Sequence, residues 1–144
     1  MLNVILRSAS EFDWDFLCAV LESCMREYAE RTSGNWRPEP RDNFRPEVHR
    51  IIQCDGIEIG CVALIEGPDA LMLEKLYILP TYQRGGIGTS LLRRLVERAH
   101  VSEKPIHLRV LRVNPALQLY ERNGFKANRS SDERRFMSYA VPKL

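Results

Sequence analysis

Leu76-Tyr77-Ile78-Leu79-Pro80-Thr81-Tyr82-Gln83-Arg84-Gly85-Gly86-Ile87-Gly88 is the stretch on which the reading of the fold turns. An aliphatic run ends at a proline and enters a glycine-rich turn, Gln83 to Gly88. Beyond it Ile87, Leu91, Leu92, Leu95, Val96 and Ala99 keep helical spacing. Glycines let the backbone adopt conformations closed to other residues, and they remove side chains that would block a phosphate. The N–H groups of the turn and of the first helical turn then converge on one place. With the positive end of the helix dipole behind them they make an anion site, and Arg84 adds charge at its rim. No Gly-Lys-Ser/Thr follows, so this is not a Walker loop. Leu91 stands where a dinucleotide fingerprint needs its third glycine. By itself the turn reads equally well as a tight strand-to-helix connection.

Upstream, the aliphatic residues from Leu71 to Leu79 predict a strand central in a sheet. Glu47 to Cys54 and Ile57 to Ile65 predict a hairpin about a two-residue Asp55-Gly56 turn, a register that sets Cys54 against Ile57 and Cys61 against Arg50. Before it, Arg31 to Pro46 breaks every periodicity with Gly34, Pro38, Pro40 and Pro46. A loop this long in a compact domain is more often functional than idle. A first strand is expected over Asn3 to Arg7. Ser10 caps a helix over about Glu11 to Glu30, with Phe12, Phe16, Leu17, Val20, Leu21 and Cys24 as its apolar stripe.

Downstream, Ile106 to Leu111 alternates as a strand, with Ile106, Leu108 and Val110 on one side and His107, Arg109 and Leu111 on the other. Asn114 then caps a short helix, Pro115 takes its first position and Gly124 closes it. Arg129 to Arg135 reads as a charged loop before a last strand, Phe136 to Val141. The order is strand, helix, three strands, helix, strand, helix, strand: an α/β sheet with mixed connections.

The 144 residues suit one domain, and their formal charge of +2 gives no mandate for nucleic acid or an anionic membrane. No apolar run approaches the roughly 20 residues that span a bilayer. Met1 to Arg7 is too short in apolar residues for a signal-peptide core, which makes the cytoplasm the default compartment. Cys18 and Cys24 lie six residues apart on one predicted helix, roughly 9 Å along its axis. Cys54 and Cys61 would be about 13 Å apart along the hairpin strands. Neither pair meets the Cα separation of roughly 7 Å or less that a disulfide needs. Free thiols are the reading, and no Cys/His spacing points to zinc.

A second stretch, Asn114-Pro115-Ala116-Leu117-Gln118-Leu119-Tyr120-Glu121-Arg122-Asn123-Gly124-Phe125, follows its strand directly. With both stretches in view, the chain closely resembles the GNAT superfamily of acyl-CoA transferases across nearly its whole length. The family's pyrophosphate motif, Gln/Arg-x-x-Gly-x-Gly/Ala, is matched by Gln83, Gly86 and Gly88. Its second signature, an Asn-containing helix start followed by Tyr and ending in Gly-Phe, is matched by Asn114, Tyr120, Gly124 and Phe125.

The resemblance implies a single N-acetyltransferase domain over residues 1–144. Its fold would be α/β, a mixed and mostly antiparallel sheet with flanking helices and a splayed central strand pair. Acetyl-CoA is implied as cosubstrate, without a metal. Backbone amides of Arg84, Gly85, Gly86, Ile87, Gly88 and Thr89, beside Gln83, would hold the pyrophosphate. The strands Leu76–Leu79 and Ile106–Leu111 would part so that the pantetheine arm pairs with the backbone of Leu76, Tyr77 and Ile78. An N–H there would polarise the thioester carbonyl. Asn114 would cap its helix, alone or while also touching the arm.

Transfer to an amine poses two proton problems. A lysine-like amine with a pKa of about 10.4 must lose a proton before attack, and a thiolate of thiol pKa about 8.5 leaves more easily with a donor at sulfur. The resemblance implies Tyr120 as the general acid, against a tyrosine simply packed on the sheet. Glu74, ionisable within an apolar strand and expected to be partly buried, stands as the base through a water. The alternatives are pairing with a neighbouring strand or binding substrate charge. No cysteine sits in the two motifs, so direct transfer in a ternary complex is expected. A non-catalytic CoA-binding regulatory or interaction module is the rival.

The remaining candidates read as structural. His49, His100 and His107 have no metal or triad spacing, and Arg93, Arg94 and Arg98 form a solvated helix face. Trp36 and Phe44, in the irregular segment, each line an acceptor pocket or tuck into the core, and the pocket reading is the better one for Trp36. The acceptor, a small-molecule or peptide amine, is not legible, and a homodimer is compatible with the family.

Overall fold

The computed structural model describes residues 3–142; Met1 and Leu2 of the opening stretch, and the last two residues of the expected 1–144 domain, lie outside them. Seven strands form one sheet in the order β1-β2-β3-β4-β5-β7-β6: β1 (Val4–Ser8), β2 (His49–Cys54), β3 (Ile57–Glu66), β4 (Leu71–Ile78), β5 (Ile106–Leu111), β6 (Lys126–Ser130) and β7 (Arg134–Tyr139). Every neighbouring pair is antiparallel except β4 with β5. A parallel pair needs a crossover, and α2 (Ile87–Ser102) supplies it. α1 (Trp14–Ser33) covers the opposite face, and α3 (Ala116–Arg122) packs beside α2.

Two cores follow from this layering. Ile52, Val62, Leu73, Leu91, Leu92, Leu108 and Phe125 pack on the α2 side, whereas Leu17, Val20, Ile51 and Cys61 pack under α1. The expected mixed sheet with flanking helices is therefore the fold. Asp55 and Gly56 have φ of +50° and +84°, the left-handed pair that a tight two-residue hairpin demands.

Several local expectations are corrected. Ser10 does cap, but it opens a single 3₁₀ turn, Glu11–Asp13, before α1 starts at Trp14. Three residues per turn shift the phase, so Phe12 points to solvent at 98 % exposure and Asp13 turns inward instead. There Arg7 donates to Asp13 at 2.9 Å and to Glu58 at 2.6 Å. Cys61 pairs with Ile51, not Arg50, because a bulge at Ile52/Gln53 leaves Ile59 as an extra residue on β3. Cys54 and Cys61 thereby fall in different cores, and all four cysteines are free. Leu111 is buried along with the apolar side of β5. The charged segment is not one loop: Lys126–Ser130 is an edge strand paired with β7, and only the residues between them turn. All five of its residues are exposed, so it carries no alternating apolar signature.

Candidate functional site

The β4/β5 ladder runs for three pairs and stops: Leu71 with Ile106, Met72 with His107, Leu73 with Leu108. At that point β4 carries its own bulge, because Ala63 faces Lys75 while Leu64 faces Leu73, and Glu74 is the extra residue. A bulge bends its strand and re-aims the residues beyond it. β4 and β5 consequently part beyond Glu74, and a cavity of about 570 Å³ opens between them. Leu76, Tyr77, Val110 and Leu111 form its strand walls, Leu21, Met25 and Ala29 of α1 close one side, and Asn114 and Tyr120 close another. Trp36, Arg37 and Glu39 come from the irregular segment, so that segment does border the opening. Phe44 instead packs between Trp14 and His49, each ring at 5.3 Å.

The glycine turn lies at the far end of β4. Leu79 N–H reaches back to Ile59 of β3 at 2.8 Å. Successive strand residues alternate the direction of their polar groups, so Ile78 presents its own to the open gap. Its carbonyl accepts from Gln83 Nε2 at 2.7 Å and from Cys24 Sγ at 3.2 Å. The Gln83 side chain thus ties the turn to the strand. Arg84 and Gly86 adopt φ of +65° and +85°, and a side chain on Gly85 or Gly86 would meet nothing, so this surface is open. Ser90 N–H makes the first α2 bond, to Gly86 C=O at 3.0 Å. The amides of Ile87, Gly88 and Thr89 precede it and have no intrahelical partner. Ile87 buries its side chain and offers only its backbone. Gly88 is where α2 touches its neighbours: a Cβ there would stand 3.3 Å from Leu119 and 3.6 Å from Ile78.

Asn114 Oδ1 accepts from Ala116 N–H at 2.9 Å, and its carbonyl accepts from Leu117 N–H at 3.1 Å, which starts α3. Its Nδ2 lies 3.8 Å from Met25 Sδ of α1, at the cavity wall. Tyr120 is 7 % exposed and packs on Phe125 at 5.7 Å. Burial pushes its phenol well above the ordinary value, as it does for Tyr77. Glu74 lines the same cavity but is exposed at the bulge, against the expected partial burial.

A half-buried polar chain on the α1 side escapes sequence reasoning. Lys75 Nζ donates to Glu39 Oε2 at 2.9 Å and to His49 Nε2 at 2.9 Å. His49 Nδ1 lies 2.7 Å from the Arg45 carbonyl, which can only accept, so Nδ1 carries the proton and Nε2 is free to accept. Desolvation, then the Lys75 charge, holds the imidazole below its ordinary value. The one local sign was a second charged residue, Lys75, inside an aliphatic strand. Among the described residues no three His, Cys, Asp or Glu side chains gather as a metal site, and no helix is long and apolar enough to cross a membrane.

Residues 46–127 match the sequence profile described as Acetyltransferase (GNAT) domain. No curated protein matches the chain by sequence. Among solved structures, the PaiA N-acetyltransferase from Thermoplasma acidophilum in complex with coenzyme A superposes with a TM-score of 0.72 at 20 % identity, covering 96 % of this chain and 99 % of that one. The ribosomal-protein-S18-alanine N-acetyltransferase from Escherichia coli superposes at 0.74 with 18 % identity, covering 99 % and 97 %. At these identities the likeness is one of fold.

Proposed function

The chain belongs to the GNAT acetyltransferase family, and from that premise we propose that it moves the acetyl group of acetyl-CoA directly to a primary amine. The observation that carries this reading is the union of two features on β4. An amide-lined turn of open glycines stands at one end, and a parted strand with a buried tyrosine stands at the other. Coenzyme A is the ligand of a solved structure with the same fold, and an extended arm lying along β4 would join the two features.

In this reading the amides from Arg84 to Thr89 hold the pyrophosphate, with Gln83 fixing the turn through Ile78. The edge of β4 from Leu76 through Tyr77 to Ile78, paired on its other side with β3, takes the pantetheine arm as an added strand on the side that faces the gap. The amine nitrogen bonds to the thioester carbonyl carbon and the carbon–sulfur bond breaks. Tyr120, kept protonated by burial, gives its proton to the departing sulfur. Glu74, at the solvent side of the cavity, takes the proton that the amine loses through a water. Asn114 holds α3, and with it Tyr120, against the cavity.

Calorimetric titration with acetyl-CoA, using desulfo-CoA and ATP as controls, tests the premise. Saturable acetyl-CoA binding is expected, and Gly86→Glu should abolish it, because the substitution strains a backbone at φ +85° and sets a carboxylate at the anion site. No binding to the native chain at millimolar ligand would leave the turn a structural connection and remove the transferase reading.

A further inference from the structure

Beside the cavity lies a sheet face whose charge the cofactor reading does not use. Antiparallel partners share a face. Arg109 of β5 pairs with Phe136 of β7, and Phe136 pairs with Arg129 of β6, so the three form one row across the sheet. Arg134 stands on the same face two residues along β7. The Arg129 guanidinium lies over the Phe136 ring at 4.4 Å. A second hollow of about 570 Å³ runs over this row, and Met72 and Arg109 line both it and the main cavity. Arg37 approaches the main cavity from the irregular segment, and Arg134 borders it as well.

The carboxylates lining the main cavity are Glu39, already committed to Lys75, and Glu74. Among the described residues Arg37, Arg109 and Arg129 form no ion pair, and Arg134 meets only Glu133, at 4.0 Å between half-exposed groups. The pyrophosphate is not the counterion of this cluster. Arg109 follows the last β4/β5 pair, beside Glu74, while the glycine turn lies beyond Ile78, about 13 Å further along β4 at 3.3 Å per residue. Three guanidinium groups, those of Arg37, Arg109 and Arg134, border one opening; like charges there repel one another unless an anion joins them, and their planar forks match carboxylates.

We propose that the acceptor is an amine whose carrier also bears a carboxylate, bound with the amine toward Glu74 and the carboxylate on Arg109 and Arg134. This rests on the acetyl-transfer reading above and names its substrate class. The carrier is a free amino acid or the end of an acidic peptide, two sources of one chemistry.

The test is a panel of paired amines offered to the full chain with acetyl-CoA, followed by thiol release and by mass of the product. Each pair differs only in a carboxylate: amino acids against their amides, and acidic peptides against their amidated forms. Spermidine serves as the cationic control. The carboxylate member should lead its pair by about tenfold or more in kcat/KM, and which series responds identifies the source. Arg109→Gln and Arg134→Gln should each shrink that lead by raising KM for the carboxylate member, with kcat and acetyl-CoA affinity little changed. Should either variant fold poorly by circular dichroism, salt serves on the native chain: KM of the carboxylate member should rise with ionic strength and that of its amide should not. A lead for amides or spermidine, parity within pairs, or no acetylation of any anionic member by acetyl-CoA-loaded protein overturns the proposal while the transferase reading stands. Failure to bind acetyl-CoA removes the transferase reading itself.

Discussion

Tyr120 shows what burial does to one side chain. Its ring lies against Phe125 and borders the cavity, and desolvation raises its phenol, so the proton stays on at neutral pH. A group in that state can donate once a stronger base, a leaving thiolate, forms beside it. Tyr120→Phe should therefore lower kcat by about a hundredfold or more while acetyl-CoA affinity measured by calorimetry stays within error; unchanged turnover would take Tyr120 out of the acid role. His49 carries a different prediction. Desolvation first and Lys75 second depress its folded pKa below 6.5, with the Arg45 carbonyl, Glu39 and Glu47 opposing. The unfolded chain then binds the imidazole proton at higher pH than the fold does, so this contribution is full above pH 6.5 and is lost as pH falls toward the depressed value. Urea midpoints taken from about pH 7.5 to pH 5 should fall more steeply for the native chain than for His49→Gln; parallel curves would show that His49 is not the titrating group. Tyr120 and Asn114 were legible because each sits in a local motif. Lys75, Glu39 and His49 were not, because they come from three separate stretches and meet only once the sheet has formed.

Elements were legible where their side chains alternate between two environments and illegible where they do not. β4, β5 and α2 each bury one face or both, and their bounds follow the apolar pattern within a residue or two. β6 is exposed throughout, so nothing in Lys126–Ser130 separates a strand from a loop. The bulges at Ile52/Gln53 and at Glu74 were equally silent, since they depend on which residues of two strands meet. Gly60 exposes that dependence. A Cβ there would lie 2.0 Å from the Tyr77 carbonyl oxygen, a backbone atom that cannot rotate away. Gly60→Ala should thus push β3 from β4 and cost about 1–3 kcal/mol, read as a lower urea midpoint with an unchanged slope. An unaffected midpoint would mean that the two strands do not approach as closely as this.

At the scale of the whole molecule, one sheet serves two cores. Residues of β2, β3 and β4 alternate between the α1 side and the α2 side, as Ile51 and Ile52 do, so neither helical layer keeps its apolar support without the other. The α/β class followed from the order of elements and the parted central pair was implied by the family resemblance, whereas the arginine row across β5, β7 and β6 needed the pairing itself. We treat residues 1–144 as a single cooperative domain, a proposal with a direct test. Trp14 and Trp36 both report from the α1 side, whereas Leu92 of α2 is fully buried in the core on the other face of the sheet. Leu92→Ala should cost about 2–5 kcal/mol through lost burial and the cavity left behind. If the sheet couples the layers, tryptophan fluorescence and far-ultraviolet circular dichroism will follow coincident transitions in native and variant chains, and both midpoints will drop together. A fluorescence midpoint that ignores Leu92→Ala while the dichroism midpoint falls would separate the layers into two folding units and overturn the single domain.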